Sequence, residues 1–342
     1  MCVPRLLLEL LIVNDNYHIF SDGRIERHND TVRLVNPDDE KSYLPIETAE
    51  ALFLHGQIDF NTRVMSFLND HGVAVHVFGW NDYYAGSVMP ERGQTSGRTV
   101  VEQVRAYDTP EHRRSLARKF IRGSIHNMRA NVSYYDGRSH EFGNVIERLD
   151  AQQETLGSGR DVSELMGVEA TARRAYYSIL DDVLPDGFVF GGRQYNPPDN
   201  EVNSLISFAN SLVYANVVSA IRATALDPAV SFVHEPGDRR YSLALDIADI
   251  FKPVLADRVI FRVVNRSQLT LDEFETDLNS CLLTESGRKT VSKAFEETLN
   301  ETIEHPRLNR KVSYQYLLRI EAYKLKKHLL TGEEYVPFER WW

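Results

Sequence analysis

The sequence predicts an α+β chain, a small β-rich N-terminal domain followed by a larger all-α domain, and three observations carry that prediction. Short β-rich runs broken by turns fill residues 17 to 84, and a stretch crowded with turn formers, Pro90-Glu91-Arg92-Gly93-Gln94-Thr95-Ser96-Gly97, follows them. From there apolar residues recur at helical spacing to the end of the chain. These changes bound an apolar N-terminal extension over 1–13, a β-rich domain over 14–89, a linker and first helix over 90–104, and a helical domain over 105–342.

The extension contains Leu6-Leu7-Leu8-Glu9-Leu10-Leu11-Ile12-Val13. It is far short of the roughly 20 apolar residues that cross a bilayer, Glu9 interrupts it, and no small-residue cleavage site follows, so neither a membrane anchor nor a secretory signal is expected. With no evident partner, residues 1–12 are expected to be dispensable, with Val13 as an alternative start. Next come Tyr17-His18-Ile19-Phe20, the turn Asp22-Gly23, the strand Thr31-Val32-Arg33-Leu34-Val35 and the turn Asn36-Pro37-Asp38-Asp39. Asn61 to Asn69 reads as a helix and Val73 to Phe78 as a buried strand, so one helix is expected against a sheet. In the helical part, Pro and Gly are mostly confined to connections such as Leu184-Pro185-Asp186-Gly187 and Asn196-Pro197-Pro198-Asp199.

The chain has 342 residues, 42% of them apolar, enough to fill a substantial core. Its formal charge of −10 does not advertise nucleic-acid binding. A duplex ligand would need cations concentrated locally, and the stretch carrying Arg113, Arg114, Arg118, Lys119 and Arg122 is the place where that happens, with a solvated helix face as the alternative. Only Cys2 and Cys281 are present, which excludes a disulfide framework and a cysteine zinc site and fits a reducing cytoplasm.

Leu165, Val168, Ala172, Ala175, Ile179 and Val183 make an apolar stripe at helical spacing, with Glu169 on its flank. Leu243, Ile247, Ile250 and Val254 make another, with Asp246 and Asp249 one turn apart beside it. His234 lies in a short loop leading into that second helix. Carboxylates with one imidazole suit Mg2+ or Mn2+ bound to phosphate, because oxygen ligands neutralise the dication and a single nitrogen favours manganese somewhat. Spacing alone leaves the alternative open that these are solvated flank carboxylates and a structural histidine, and it does not rank Asp246 against Asp249.

Several ordered motifs together resemble the Cas-one family of CRISPR-associated integrases, from about Asn16 to Trp342 and most closely its subtype I-B branch. In the β-rich domain the resemblance rests on Tyr17 through Arg24, Tyr43-Leu44-Pro45-Ile46-Glu47, Leu54-His55-Gly56-Gln57-Ile58 and Tyr83-Tyr84-Ala85-Gly86-Ser87. Further on it rests on Leu165-Met166-Gly167-Val168-Glu169-Ala170, Val202 through Phe208, Phe232-Val233-His234, Ser242 through Pro253, and Ala322 through Leu330. Three departures stand out: Ser124 where a Lys is common, Asn210 where an aromatic residue is common, and Ser231 where Gly is common.

The resemblance implies that Glu169, His234 and Asp249 are the catalytic metal ligands for Mg2+ or Mn2+, with Asp246, Asn203 and Arg193 supporting them. It implies a homodimer joined largely through the β-rich domains and bound to the small ferredoxin-like second Cas protein. The partners would include double-stranded prespacer DNA and CRISPR repeat DNA, and no membrane. The implied reaction is a cytoplasmic transesterification in which a prespacer 3′-hydroxyl attacks a phosphodiester of the repeat array. A stand-alone nuclease or transposon-type integrase with the same residues, and a non-catalytic DNA-binding scaffold, are the alternatives.

Overall fold

The computed structural model describes residues 10–13, 16–91, 96–138, 140–157, 159–195, 197–237, 241–278 and 280–341. Strands and turns alternate as far as residue 88: β1 (Leu10–Val13), β2 (Asn16–Ile19), β3 (Gly23–His28), β4 (Thr31–Val35), β5 (Lys41–Leu44), β6 (Ala51–Leu54), β7 (Ile58–Phe60), α1 (Thr62–His71), β8 (Ala74–Phe78) and β9 (Tyr84–Val88). They form a five-stranded sheet in the order β1-β2-β6-β8-β9 and a four-stranded sheet in the order β5-β4-β3-β7. Helix α1 starts where Asn61 accepts hydrogen bonds from the Arg63 and Val64 amides, and it ends at Gly72 in the left-handed region.

Alternation along the larger sheet buries both of its faces. Tyr17, Ile19, Leu52, Leu54 and Val75 face a small core shared with the four-stranded sheet and α1. Ala51, Phe53, Ala74 and Phe78 on the other face belong to the core of the helical domain. The same face carries His18, which contacts Glu296 at 3.0 Å, and His76, which contacts Ser219 at 2.9 Å. The β-rich domain is therefore docked on the helices through a sheet face, with its polar groups paired across the junction.

The structure differs from the sequence reading at the N-terminus. Leu10–Val13 pairs antiparallel with β2, Leu10 opposite Ile19 and Val13 opposite Asn16, so these residues are not an extension without a partner. A β-prone apolar run satisfies the amides and carbonyls that β2 would otherwise expose as a sheet edge. A start at Val13 would remove most of this strand; the earlier part of the extension, residues 1–9, lies outside the described residues.

The larger domain is helical: α2 (Gly97–Asp108), α3 (Pro110–Tyr135), α4 (Gly143–Glu154), α5 (Val162–Tyr177), α6 (Leu180–Val183), α7 (Glu201–Arg222), α8 (Ser242–Phe251), α9 (Arg258–Asn265), α10 (Glu285–Asn300) and α11 (Tyr314–Thr331). Two small hairpins join it, β10 (Phe274–Asp277) with β11 (Ser280–Leu283), and β12 (Thr302–His305) with β13 (Arg310–Ser313). By length and composition α7 could cross a membrane, but 72% of its most apolar window is buried inside the protein, which is the placement of a core helix. The stripe expected to run unbroken to Val254 changes pitch: α8 ends at Phe251 and a π-helical turn, Pro253–Asp257, carries the chain into α9. Proline has no amide to continue the ladder, and Asn127 and Asn131 of α3 donate to the Ile250 and Pro253 carbonyls beside the turn.

Candidate functional site

Glu169 sits on α5, which begins with a capping box in which Asp161 and Glu164 bond each other's backbone amides. Its neighbours at helical spacing, Leu165 and Ala172, are buried, and this seats Glu169 against α3 and α8 rather than in solvent. Asp246 and Asp249 lie on α8, and the loop from Phe232 to His234 folds over the first turns of that helix.

The two aspartates are not equivalent. Asp246 is 1% exposed and accepts four hydrogen bonds: from the amides of Phe232 at 2.7 Å, Val233 at 2.9 Å and His234 at 3.0 Å, and from His234 Nδ1 at 2.8 Å. It thus fixes both the loop and the ring. Ser231, one of the three departures, adds a further clasp by donating to the His234 carbonyl at 2.5 Å. With Nδ1 committed, His234 turns Nε2 towards Asp249 Oδ2 at 4.0 Å.

Asp249 instead faces the open side. Its Oδ1 meets Lys252 Nζ at 2.6 Å and Arg173 Nη2 at 3.3 Å. That same Arg173 nitrogen lies 2.7 Å from Glu169 Oε1. Ser124, standing where a lysine is common in the resembled family, is 3.4 Å from both Glu169 Oε1 and Arg173 Nη2. The spacing signals for Arg173 and Lys252 were present, four residues after Glu169 and three after Asp249, although the sequence reading passed them over.

The electrostatics follow from this arrangement. Burial raises the pKa of Glu169 and the charge of Asp249 raises it further, against the pull of Arg173. Burial would raise Asp249 as well, but Lys252, Arg173 and His234 bring it down to about 2. Burial works against a protonated His234, and the hydrogen bond and charge of Asp246 outweigh it, so the ring's pKa lies above its usual value.

Two carboxylates and an imidazole with one free nitrogen are the donor set of a hard or borderline divalent cation. As they stand, no three His, Cys, Asp or Glu side chains among the described residues converge at ligand spacing. The guanidinium of Arg173 lies between the two carboxylates and holds the place of a shared cation. Side chains of the types that hold Mg2+ or Mn2+ thus lie together here, with that guanidinium between the two carboxylates.

These groups open into a cleft of about 1460 Å3. Its walls come from α5, α7, α8, the segment holding Arg193 and Tyr195, and the turn before β9 with the start of that strand, Asn81 to Gly86. Arg193 is held there by Asn203 Oδ1 at 2.9 Å and Ser207 Oγ at 3.0 Å, while Asn203 also donates to the Gly192 carbonyl and to Asp199 at 2.8 Å each. Asn210, another departure, lines the same cleft.

The basic residues of α3 are mostly engaged. Arg113 donates to the Phe232 carbonyl at 3.1 Å and to Glu235 at 2.7 Å and covers the ring of Tyr107, so it braces the loop that carries His234. Arg114 pairs with Glu111, Lys119 with Glu334 and Arg122 with Glu339. Arg118 has a buried Nε with no hydrogen-bond partner.

A β-rich domain docked through one sheet face on a helical domain, with buried carboxylate and imidazole side chains opening into a large cleft, defines a protein with an acidic polar site. The family model described as CRISPR associated protein Cas1 matches residues 17–297, and the chain belongs to the Cas1 family. A CRISPR-associated endonuclease Cas1 from Haloferax volcanii is 55% identical over 327 residues, 96% of this chain and 99% of that protein. A CAS1 protein from Thermotoga maritima superposes with a TM-score of 0.82 at 32% identity, covering 95% of this chain and all of that one. A Cas6-RT-Cas1–Cas2 complex contains a chain with a TM-score of 0.82 at 17% identity, covering 97% of this chain and 37% of that one, which shows the shared fold alone.

Proposed function

We propose that this chain is the metal-dependent endonuclease and integrase of CRISPR adaptation, which joins the 3′-hydroxyl of a prespacer to a phosphodiester of the repeat array. The observation that carries the reading is the division of labour on α8: Asp246 is consumed in fixing His234, while Asp249 and Glu169, on the wall of the cleft, share the guanidinium of Arg173. The name of the Haloferax volcanii relative, an endonuclease, supports chemistry on phosphodiesters.

Glu169, His234 and Asp249 would hold Mg2+ or Mn2+, which supplies charge neutralisation and orientation at a phosphodiester. In the transesterification a new P–O bond forms to the attacking 3′-oxygen, which loses its proton, as the bond to the departing 3′-oxygen breaks and that oxygen is protonated. Arg193, clamped by Asn203 and Ser207, and Lys252 place fixed positive charge on the cleft wall, where it opposes the phosphate oxygens. The cleft is large enough for a strand end rather than a small metabolite alone. Duplex contacts are assigned to α3, with Arg113, Arg114, Arg118, Lys119 and Arg122 as candidates. A homodimer through the β-rich domain and a second Cas protein complete the proposed assembly, the latter supported by the Cas2 partner of the fold relative.

The test is a half-site integration assay with the second Cas protein, a prespacer with free 3′-hydroxyls and a repeat-bearing duplex. Joined product is expected only with Mg2+ or Mn2+, and Glu169→Ala, His234→Ala and Asp249→Ala should each abolish it while remaining folded. Joining in the presence of a chelator, or by Glu169→Ala, would refute the proposed metal mechanism. Full activity without the second Cas protein would assign the chain to the stand-alone reading instead.

A further inference from the structure

The positive charge between the two carboxylates belongs to this chain itself. Arg173 Nη2 is 2.7 Å from Glu169 Oε1 and 3.3 Å from Asp249 Oδ1, and the side chain is only 16% exposed. A surface arginine four residues from a glutamate would ordinarily make a weak pair with it. Here the guanidinium leaves the helix surface and bridges to a second helix, α8, where Asp249 already has Lys252 at 2.6 Å. Its position answers a local electrostatic need, because two carboxylates this deeply placed repel each other unless a cation stands between them.

We infer that Arg173 is a built-in counter-cation that keeps the metal-free site closed and competes directly with the divalent ion for Glu169 and Asp249. The inference rests on the proposed metal reading and adds its regulation. A dication bound at about 2.0–2.6 Å by these carboxylate oxygens would stand within a few ångströms of the guanidinium that already occupies Oε1 of Glu169 and Oδ1 of Asp249. Like-charge repulsion at that separation is strong even in a well-screened protein. That repulsion favours withdrawal of the guanidinium when a metal enters, and the open side available to it is the cleft, whose wall it already forms. Arg173 thereby sets a threshold of metal concentration below which the site stays occupied by its own side chain.

Mn2+ binding followed by electron paramagnetic resonance, with thermal unfolding of the metal-free and Mn2+-saturated full-length protein, tests this without any reaction. Arg173→Gln is expected to bind Mn2+ about tenfold or more tightly than wild type, the scale set by removing one adjacent positive charge. Metal-free Arg173→Gln should melt below wild type, because Glu169 then loses its cation and Asp249 keeps only Lys252, and saturating Mn2+ should close most of the gap. Arg173→Lys, which keeps the charge on a head that cannot fork, guards against a misfolded glutamine variant and should bind Mn2+ with an affinity between the two. If wild type binds Mn2+ and both variants bind it equally or more weakly, the inference is overturned and the metal reading stands. If wild type takes up no Mn2+ that Glu169→Ala removes, the metal reading falls and this inference with it.

Discussion

Replacing Asp246 by alanine should damage folding more than replacing Asp249, although the two lie one turn apart on α8. Asp246 accepts three backbone amides and one imidazole nitrogen at 2.7–3.0 Å and is 1% exposed. Bonds to a charged acceptor contribute about 1.5–3 kcal/mol each, and each donor left buried and unpaired costs about 1–3 kcal/mol. These terms do not add fully, and removing the carboxylate also removes its own desolvation cost, so a net loss of about 3–6 kcal/mol follows for Asp246→Ala. In a chain of this size that lowers Tm by about 5–15 °C. Asp249→Ala removes the carboxylate that Lys252, Arg173 and His234 stabilise but leaves Arg173 paired with Glu169 and relieves the repulsion between the two carboxylates, so its Tm should fall by about 2–6 °C, less than for Asp246→Ala.

Strand transfer should show the opposite emphasis, with none for Asp249→Ala. Asp246→Asn, which keeps one acceptor for the loop, should retain measurable joining with Mn2+ affinity about 10–100-fold weaker, the usual cost of losing support behind a ligand. Calorimetric unfolding and a manganese titration of the joining reaction on the three variants read both quantities. A fully stable Asp246→Ala, or an active Asp249→Ala beside an inactive but folded Asp246→Asn, would show that support and ligand have been assigned the wrong way round.

Glu296, fully buried, receives Asn16 at 2.9 Å and His18 at 3.0 Å from the sheet face docked on the helices, so Glu296→Ala should destabilise the protein by about 3–5 kcal/mol; a urea midpoint equal to wild type would mean the junction does not depend on this pair. Burial pushes the Asp257 carboxyl, which accepts from Tyr176 Oη at 2.9 Å, up from its usual 3.8 to about 6. The folded state holds that proton longer than the unfolded chain does, so this contribution is fully present below about pH 4 and lost as pH rises to about 6. Asp257→Asn should accordingly gain about 1–3 kcal/mol near pH 7.5 and flatten that part of the stability profile, and an absence of gain there counts against the assignment. Because His234 and Glu169 both hold protons above their usual pKa, Mn2+ affinity should fall steeply as pH drops from 8 to 6; a pH-independent affinity would exclude them as ligands. Neutralising Arg114 and Arg118 together should weaken duplexes of unrelated sequence alike and lower the salt slope by about 2; unchanged affinity across salt would leave that face merely solvated.

Local order was legible in the sequence because local forces decide it. The last β pattern and the first helical spacing correspond to β9, which ends at Val88, and α2, which begins at Gly97, and Asn61 marked the start of α1 as a side-chain cap does. The motifs around Glu169, His234 and Asp249 placed the chain beside its family, and one-turn spacing put Asp246 and Asp249 on the same flank of α8. Spacing could not separate those two, because what separates them is the Phe232–His234 loop folding back so that three amides converge on Asp246 alone. The basic character of α3 was likewise visible, but not that Glu235, Glu334 and Glu339, more than a hundred residues away in sequence, spend much of that charge on pairs within the protein. Nor did β patterning reveal that His18 and His76 face a second domain, since alternation says which residues share a face and nothing about what covers it. Identity along the chain sets backbone preference and periodicity; the pairing of charges is set by which surfaces meet, and only the tertiary structure brings Arg173 between the two carboxylates it neutralises.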